Sequence, residues 1–393
     1  MTRRAVALFS GGLDSTLAVL TILRQDIKVK AIKFRTPFDI DISPTMLHSY
    51  VSPSPTPPVK GGEIVGIAPV KGGKHIPAPY PADCRRVLSR VDLPSPLAEE
   101  GKGEGYRIFS NADRFGFEVK LIDLSDRFIE IVKNPEHSYG KNMNPCIDCR
   151  ILMLKEAKKI MDRINAEFII TGEVTGQRPM SQRKDMLYHI DKEAGVTGYI
   201  VRPLSAKLLR NTIPEEKGIL DREMFYDFSG RSRKKQMALA KEFGLKDYPA
   251  PAGGCLLTEP NFAYRLKDLL NYNPAPHIRD IYLLKTGRHF RYSPSCKIIV
   301  GRDKYENEII ESLSKDTDYL LEVEGFASPI TLVTGEVTEE ALNIAASICA
   351  MYSDAKNLSR VEVIVMKWDD RFSLRVPPAG NKIIEALRIS KNG

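Results

Sequence analysis

Ser10-Gly11-Gly12-Leu13-Asp14-Ser15 is the stretch that decides the fold of this chain. The apolar residues 4–9 before it predict a buried strand, and residues 16–23 after it predict a helix. A strand that ends at two glycines and turns at once into a helix forms an anion site, because glycine allows close backbone approach and the helix start presents unpaired N–H groups. We therefore predict phosphate binding here, with hydroxyl donors from Ser10 and Ser15 and with Asp14 assisting a Mg²⁺ ion. The alternative is an ordinary glycine-rich turn in which Asp14 or Ser15 caps the helix.

Length and composition predict a soluble protein of two or three domains. The chain has 393 residues, of which 42% are hydrophobic and 27% charged. No apolar run approaches the roughly 20 residues that a membrane helix needs, and the first residues lead into a core strand rather than a signal peptide, so we expect a cytoplasmic protein without a membrane partner. The net charge of +8 and the sequence pI of about 9.0 favour a polyanionic partner.

Strand and helix patterns alternate beyond the first turn. Residues 28–34, 117–124 and 166–173 read as further strands, which predicts an α/β fold with a doubly wound, mostly parallel sheet. Strand ends near the first turn face the same ligand in such a sheet, so Phe34 or Arg35 is placed to border the adenine of a nucleotide, and Gly172 to face it. Phe34 as plain core is the alternative.

Composition divides the rest of the chain. Residues 49–105 are rich in proline and glycine and lack periodicity, which predicts a disordered, dispensable insertion that contains Cys84. The first domain is then 1–48 with 106–273. After a linker at 273–276, residues 277–393 alternate like β structure with one helix at 339–352, which predicts a smaller α+β domain.

Basic segments lie within the first domain. They occupy residues 177–184, 202–205 and 230–235. Lysine and arginine neutralise phosphates and supply most non-specific affinity for nucleic acid, whereas the alternative is a solvated charged face. We predict that an RNA backbone contacts Arg178, Arg202, Arg231 and Arg233.

Three of the six cysteines form a candidate site. Cys146 and Cys149 form a CxxC pair at a predicted helix start, and Cys255 follows a Pro-Gly-rich turn. A structural zinc site needs four ligands, and no second CxxC or spaced His pair is present. Three thiolates suit a [4Fe–4S] cluster that leaves one iron open, while a redox pair of Cys149 with Cys255, one carrying a persulfide, is the alternative. We take Cys296 and Cys349 as structural.

The first turn resembles the SGGxDS signature of the PP-loop ATP pyrophosphatases. That resemblance implies adenylation of a carbonyl oxygen by ATP, with release of pyrophosphate. It also implies a HUP-like fold, and ATP binding by the matching residues Ser10, Gly11, Gly12, Leu13, Asp14 and Ser15.

Residues 144–149 and 254–262 are similar to the two cysteine motifs of the tRNA-specific 2-thiouridylases. The similarity covers residues 4–48 and 106–272. The chain has both CxxC cysteines and lacks the family's long central and β-barrel domains, and in this it resembles the cluster-dependent tRNA thiolases. Residues 287–291 and 297–302 resemble an NFACT-type RNA-binding domain, which adds Arg288 and Arg291 to the predicted RNA contacts.

Together these features predict an ATP-dependent tRNA sulfurtransferase. A uridine carbonyl oxygen is adenylated, and sulfide, or a persulfide on Cys149 or Cys255, then displaces AMP. The alternative is an adenylating ligase or amidotransferase-like enzyme that acts on a small molecule without a cluster. An RNA-binding regulator is disfavoured because Ser10, Asp14 and Ser15 are all present. The sequence leaves open which uridine oxygen and which tRNA react, what donates the sulfur, and the oligomeric state.

Overall fold

The structure is a computed structural model that describes residues 3–39, 112, 114–246, 248 and 255–390. The predicted insertion at 49–105, with Cys84, lies outside the described residues. The described chain forms two compact units. The first unit holds described residues within 3–35, 112–123 and 150–248, and the second holds those within 36–39, 124–149 and 255–390. These units join chain segments differently from the predicted domains, whose limits stay a prediction.

A five-stranded parallel sheet forms the core of the first unit. Its strand order is β3-β2-β1-β4-β5, and every neighbouring pair is parallel. The strands are β1 (Arg4–Leu8), β2 (Lys28–Arg35), β3 (Glu118–Asp123), β4 (Phe168–Thr171) and β5 (Ile200–Val201). In this order the winding reverses between β1 and β4, and ligands of such sheets bind at the carboxyl ends of the strands at that point. The predicted α/β doubly wound fold is confirmed.

Helices alternate with these strands, and the sequence patterns predict four of them, those at 13–23, 125–133, 146–163 and 234–242, but not those at 184–193 and 213–216. Their bounds are α1 (Leu13–Leu23), α2 (Ser125–Lys133), α3 (Cys146–Arg163), α4 (Lys184–Glu193), α5 (Ile213–Glu216) and α6 (Lys234–Glu242), with 3₁₀ turns at Ala206–Leu208 and Arg222–Met224. Successive β1 residues Ala5, Val6 and Ala7 are all fully buried, so the sheet is covered on both faces. The apolar side of α1, at Val19 and Ile22, packs in one cluster with Ala5 and Ala7.

A six-stranded antiparallel sheet forms most of the second unit. Its order is β11-β10-β8-β9-β7-β6. The strands are β6 (Arg288–Ser293), β7 (Cys296–Val300), β8 (Tyr319–Val323), β9 (Thr331–Gly335), β10 (Val361–Lys367) and β11 (Asp370–Val376). The helices are α7 (Pro260–Tyr272), α8 (Ile278–Leu284), α9 (Lys304–Leu313), α10 (Glu339–Met351) and α11 (Asn381–Leu387), with a 3₁₀ turn at Leu256–Thr258. Cys296 and Cys349 are fully buried in the core, as predicted.

The prediction of one helix beyond residue 277 is wrong. Besides α10, the second unit has α8, α9 and α11. These are short helices, and tertiary packing rather than intrinsic propensity stabilises helices of this length. Among the described residues, every helix is too short or too polar to cross a bilayer.

Candidate nucleotide site and cysteine segments

The turn between β1 and α1 is held by hydrogen bonds among its own residues. Gly11 has a φ of 83°, a left-handed conformation that favours glycine. The N–H of Gly12 donates to Ser10 Oγ at 3.3 Å, and the Ser15 hydroxyl donates to the Gly12 carbonyl at 2.9 Å. Gly12 occupies the N-cap position of α1, so neither Asp14 nor Ser15 caps the helix. The start of α1 therefore has the character of an anion site.

Asp14 adds a buried carboxylate to this turn. Its Oδ2 accepts a hydrogen bond from Gln177 Nε2 at 3.0 Å, while its buried Oδ1 has no hydrogen-bond partner among the described residues. Burial raises the pKa of Asp14, and the Gln177 bond and the charges of Arg233 and Arg178 offset this only in part. A carboxylate oxygen without a hydrogen-bond partner, next to a turn of the kind that binds phosphate, suits a Mg²⁺ ion that binds together with phosphates.

Gly172 lies directly against the same turn. A Cβ at this position would lie 2.5 Å from the Ser15 nitrogen and 2.6 Å from the Asp14 carbonyl carbon. The end of β4 therefore approaches the turn closely because residue 172 has no side chain. Phe34, at the end of β2, is 8% exposed. This burial agrees with the alternative that Phe34 is an ordinary core residue. A contact between Phe34 and adenine stays a prediction.

Two of the predicted basic segments adjoin each other near Asp14. Thr175 and Ser229 form a parallel bridge, and the N–H of Gly230 donates to the Thr175 carbonyl at 2.8 Å. This pairing joins the segment that carries Arg178 to the segment that carries Arg233, and both charges act on Asp14. Arg178 and Arg231 are exposed, so they remain accessible to a polyanion.

The predicted RNA contact of Arg202 disagrees with its position in the structure, because this side chain is buried. Its side chain is 3% exposed, and its guanidinium donates two hydrogen bonds to Asp191, at 2.7 and 2.8 Å, and one to Glu173 at 3.0 Å. Burial alone would raise the pKa of Glu173, but the charges of Arg150 and Arg202 outweigh burial and lower it. Arg202 is thus the centre of a buried ion network that joins the residues after β4 and β5 to α4.

The CxxC segment and the Cys255 segment meet in the second unit. Cys146 is the first residue of α3 and is partly exposed. In the loop before α3, the N–H of Met143 donates to the Leu257 carbonyl at 3.2 Å, and Asn142 Nδ2 donates to the Thr258 carbonyl at 2.6 Å. Folding therefore brings residues just before Cys146 beside residues just after Cys255.

Three potential metal ligands lie close together at and just before the CxxC motif. Glu136, His137 and Asp148 offer ligand atoms that all lie within 4.8 Å of one another. The binding of a [4Fe–4S] cluster by Cys146, Cys149 and Cys255 stays a prediction.

Several residues around these segments were not singled out from the sequence. Gln177 orients Asp14, and Asp148, inside the CxxC motif, accepts hydrogen bonds from the His137 backbone at 3.2 Å and pairs with His137 Nδ1 at 2.9 Å. The position of Asp148 between the two cysteines was a readable signal. The partners of Gln177 and Asp148 were not readable, because they depend on tertiary contacts.

The two C-terminal arginines of the predicted RNA set are held by the fold. Arg291 donates to Asp268 through Nη2 at 2.6 Å and Nε at 3.0 Å, and its guanidinium carbon lies 4.7 Å from the centre of the Tyr272 ring. Arg288 lies over the Tyr352 ring at 4.5 Å. Their RNA contacts stay a prediction.

Residues 287–387 match the family model described as the NFACT protein RNA binding domain. This match confirms the predicted resemblance of the C-terminal region and spans about a quarter of the chain. No curated protein is significantly similar to the chain in sequence.

Solved structures similar to the chain have low sequence identity and low TM-scores. One is a 4-thiouridine synthetase–RNA complex with bound ATP (17% identity, TM-score 0.29), in which the match covers 62% of this chain and 52% of that chain, about half of its length. Another is the C-terminal part of the fibronectin/fibrinogen-binding protein of Streptococcus suis (14% identity, TM-score 0.25, 62% of this chain and 96% of that chain). A third is a predicted tRNA methyltransferase subunit of Methanocaldococcus jannaschii (11% identity, TM-score 0.25, 64% of this chain and 97% of that chain).

Proposed function

We propose that this chain is an ATP-dependent RNA sulfurtransferase that replaces a uridine carbonyl oxygen with sulfur. The observation that carries the proposal is the turn of residues 10–15 at the switch point of the parallel sheet, with a buried Asp14 oxygen that has no hydrogen-bond partner in the described part of the chain. The same chain ties a CxxC motif to the Cys255 segment through Asn142 and Met143. A phosphate-binding turn together with clustered cysteine segments is the combination that adenylation followed by sulfur transfer requires.

The first step forms an adenylate on the RNA base. The uridine carbonyl oxygen attacks the α-phosphorus of ATP, the new O–P bond forms, and the bond from the α-phosphorus to the bridging oxygen breaks to release pyrophosphate. The start of α1 and the hydroxyls of Ser10 and Ser15 bind the phosphates, and Asp14 supplies a carboxylate oxygen to Mg²⁺. Arg178 and Arg233 balance the negative charge near Asp14.

The second step displaces AMP with sulfur. Cys146, Cys149 and Cys255 would hold a [4Fe–4S] cluster, which supplies an iron with an open position for sulfide. In the alternative route, a persulfide on Cys149 or Cys255 attacks the adenylated carbon, and AMP leaves with the former carbonyl oxygen. The thiolate of the other cysteine then attacks the cysteine-bound sulfur, which breaks the S–S bond to the base, forms a Cys149–Cys255 disulfide and leaves the outer sulfur on the uridine.

A transfer RNA is the substrate we propose. The net charge of +8 and the match of residues 287–387 to an RNA-binding domain support a polyanionic RNA partner. The target base must leave its stack to reach ATP, so an unpaired loop or a flipped nucleotide is expected.

Anaerobic reconstitution tests this function. The protein is purified without oxygen, its iron is counted, and it is incubated with ATP, Mg²⁺, sulfide and unmodified tRNA before nucleosides are measured by mass spectrometry. Thiolated uridine that requires ATP, and that Cys149→Ala and Cys255→Ala abolish, supports the proposal. Pyrophosphate release that is independent of tRNA, with no thiolated nucleoside from iron-loaded protein, would instead favour the small-molecule adenylating enzyme.

A further inference from the structure

A cavity of about 270 Å³ lies within the second unit, apart from the cysteine segments. It is bounded by α7, α8 and the strands β6, β7 and β9. The polar side chains in its lining are those of Tyr272, Asn273, Asp280, Arg291, Ser295, Lys297 and Thr334. Its volume is close to the lower limit of small-ligand sites, roughly 300 Å³.

Lys297 brings an under-satisfied ammonium group to this cavity. The residue is 6% exposed, and its Nζ lies 3.6 Å from Asp268 Oδ2, beyond hydrogen-bond distance. The same carboxylate already accepts two hydrogen bonds from Arg291. The ammonium of Lys297 carries three donors, and among the described residues its one carboxylate at ion-pair distance is this shared Asp268.

The charges around Lys297 favour an anion. Burial, with the charges of Arg291 and Arg265, lowers the pKa of Lys297 to about 8, although Asp268 and Asp280 act in the opposite direction. Lys297 therefore still carries its proton at neutral pH. Burial keeps the pKa of His289 well below its usual range, so this neighbour is neutral. This group contains three positively charged side chains, Arg265, Arg291 and Lys297, and two negatively charged ones, Asp268 and Asp280. The positive charges therefore exceed the negative ones by one.

The aromatic ring of Tyr272 lies at the same cavity. It is 49% exposed, and Arg291 stacks on it at 4.7 Å. A half-exposed aromatic ring can stack with a base, and a cation beside it can bind the phosphate of the same nucleotide. We propose that this cavity binds a single nucleotide, with its phosphate on Lys297 and its base on Tyr272. The nucleotide is either free in solution or the end of an RNA strand.

Calorimetric titration of the full chain at neutral pH tests the site with three probes: inorganic phosphate, AMP, and a single-stranded RNA octamer with a terminal phosphate. Lys297→Met is compared with the wild type, and Lys356→Met, which changes an exposed lysine of the same unit, is the matched control. Met has the length of the lysine stem and removes only the buried charge. Lys297→Gln is the second variant if Lys297→Met does not fold.

The expected result is a binding site that Lys297→Met weakens by about tenfold to a hundredfold, the effect of one charge-assisted hydrogen bond, while Lys356→Met leaves it unchanged. Tyr272→Leu should weaken the binding of AMP and of the octamer but not the binding of inorganic phosphate. Tighter binding of AMP than of the octamer identifies a free nucleotide, and the reverse identifies an RNA end. Equal binding by the wild type and the Lys297 variants, or no binding of any probe, overturns the proposal. The outcome does not depend on ATP turnover, so it stands or falls separately from the proposed function.

Discussion

Gly172 and Asp14 act on the same turn in different ways. Gly172 supports the backbone of the turn through a contact that excludes any side chain, whereas Asp14 presents a carboxylate oxygen without a partner. One residue shapes the site, and the other supplies its charge. Substitutions at the two positions should therefore separate geometry from chemistry.

Gly172→Ala should weaken ATP binding. The added Cβ would lie 2.5 Å from the Ser15 nitrogen, so the turn must move away from β4 and its N–H groups lose their alignment. We expect the dissociation constant for ATP to rise by about tenfold or more, since 1.4 kcal/mol of lost contact has that effect. Gly380→Ala is the control because a Cβ there meets no atom within 4 Å. Unchanged ATP affinity in Gly172→Ala, measured by titration, would show that the turn tolerates the displacement.

Asp14→Asn should stabilise the fold and impair the metal-dependent reaction. The pKa of Asp14 is raised in the folded chain, so the folded state binds the proton more tightly than the unfolded state, and stability falls as pH rises from the usual carboxylate pKa through the raised one. At neutral pH the charged form is penalised, and asparagine removes that penalty. The melting temperature of Asp14→Asn should exceed that of the wild type at neutral pH, and the difference should shrink in acid.

The same variant should need more Mg²⁺ for half-maximal activity, by at least about tenfold, because a charge-assisted contact contributes roughly 1.5–3 kcal/mol. Pyrophosphate release measured over a Mg²⁺ titration provides this value. A normal Mg²⁺ requirement in Asp14→Asn would remove Asp14 from the metal site.

Among the helices and strands, those that local sequence determines were predictable, whereas those that depend on tertiary contacts were not. The strands β1 and β4 were readable because they are short apolar runs next to turn residues, and β2 was readable because its apolar and charged residues alternate. The helix α9 was missed, although its start carries a local signal. Asp303 accepts a hydrogen bond from the Glu306 N–H at 2.9 Å, and the Glu306 carboxylate accepts one from the Arg302 N–H. Its apolar residues Ile309 and Ile310 lie next to each other, so periodicity alone did not distinguish a helix from a strand.

The candidate site was predictable in part for the same reason. The turn at residues 10–15 is local, so its residues were identifiable from their order along the chain. Arg202 was misassigned because its partners, Glu173 and Asp191, lie 29 and 11 residues away in sequence. A buried arginine and an exposed one look alike in a single sequence.

Arg202→Met should destabilise the first unit. Removal of the guanidinium leaves Asp191 as a buried carboxylate without its arginine partner and leaves Glu173 with Arg150 alone, and loss of one partner of a buried ion pair costs about 3–5 kcal/mol. Arg183→Met is the matched control, since its pair with Asp185 is exposed and should contribute little. Urea denaturation measures both variants. Equal stability of Arg202→Met and Arg183→Met would mean that the network is not needed for the fold.

Asn142→Gly should loosen the contact between the two cysteine segments. The change removes the hydrogen bond to the Thr258 carbonyl and keeps the backbone conformation, since Asn142 has a φ of 57° that glycine adopts readily. Asn165→Gly, at a φ of 52°, is a control with the same backbone effect. We expect less iron per chain after anaerobic reconstitution of Asn142→Gly than of Asn165→Gly. Equal iron in the two variants would show that this tie does not organise the cysteines.

For the whole molecule, surface charge and buried charge have different consequences. The net charge of +8 includes cations such as Arg202 and Arg279 that are buried, and these do not reach a backbone phosphate on the surface. Accessible cations such as Arg178 and Arg231 set the long-range attraction for a polyanion. RNA affinity should therefore depend on fewer arginines than the basic composition implies.

The salt dependence of RNA binding measures how many cations take part. Each phosphate neutralised contributes about 0.7 to the slope of log K against log salt for single strands and about 0.9 for duplexes. We expect Arg178→Ala and Arg231→Ala each to lower the slope by about that amount without loss of stability, because both side chains are exposed. Lys241→Ala changes an exposed cation outside the predicted set and should leave the slope unchanged. If Lys241→Ala lowers the slope as much as Arg178→Ala does, the attraction is diffuse and the adjoining basic segments near Asp14 do not form a defined RNA contact.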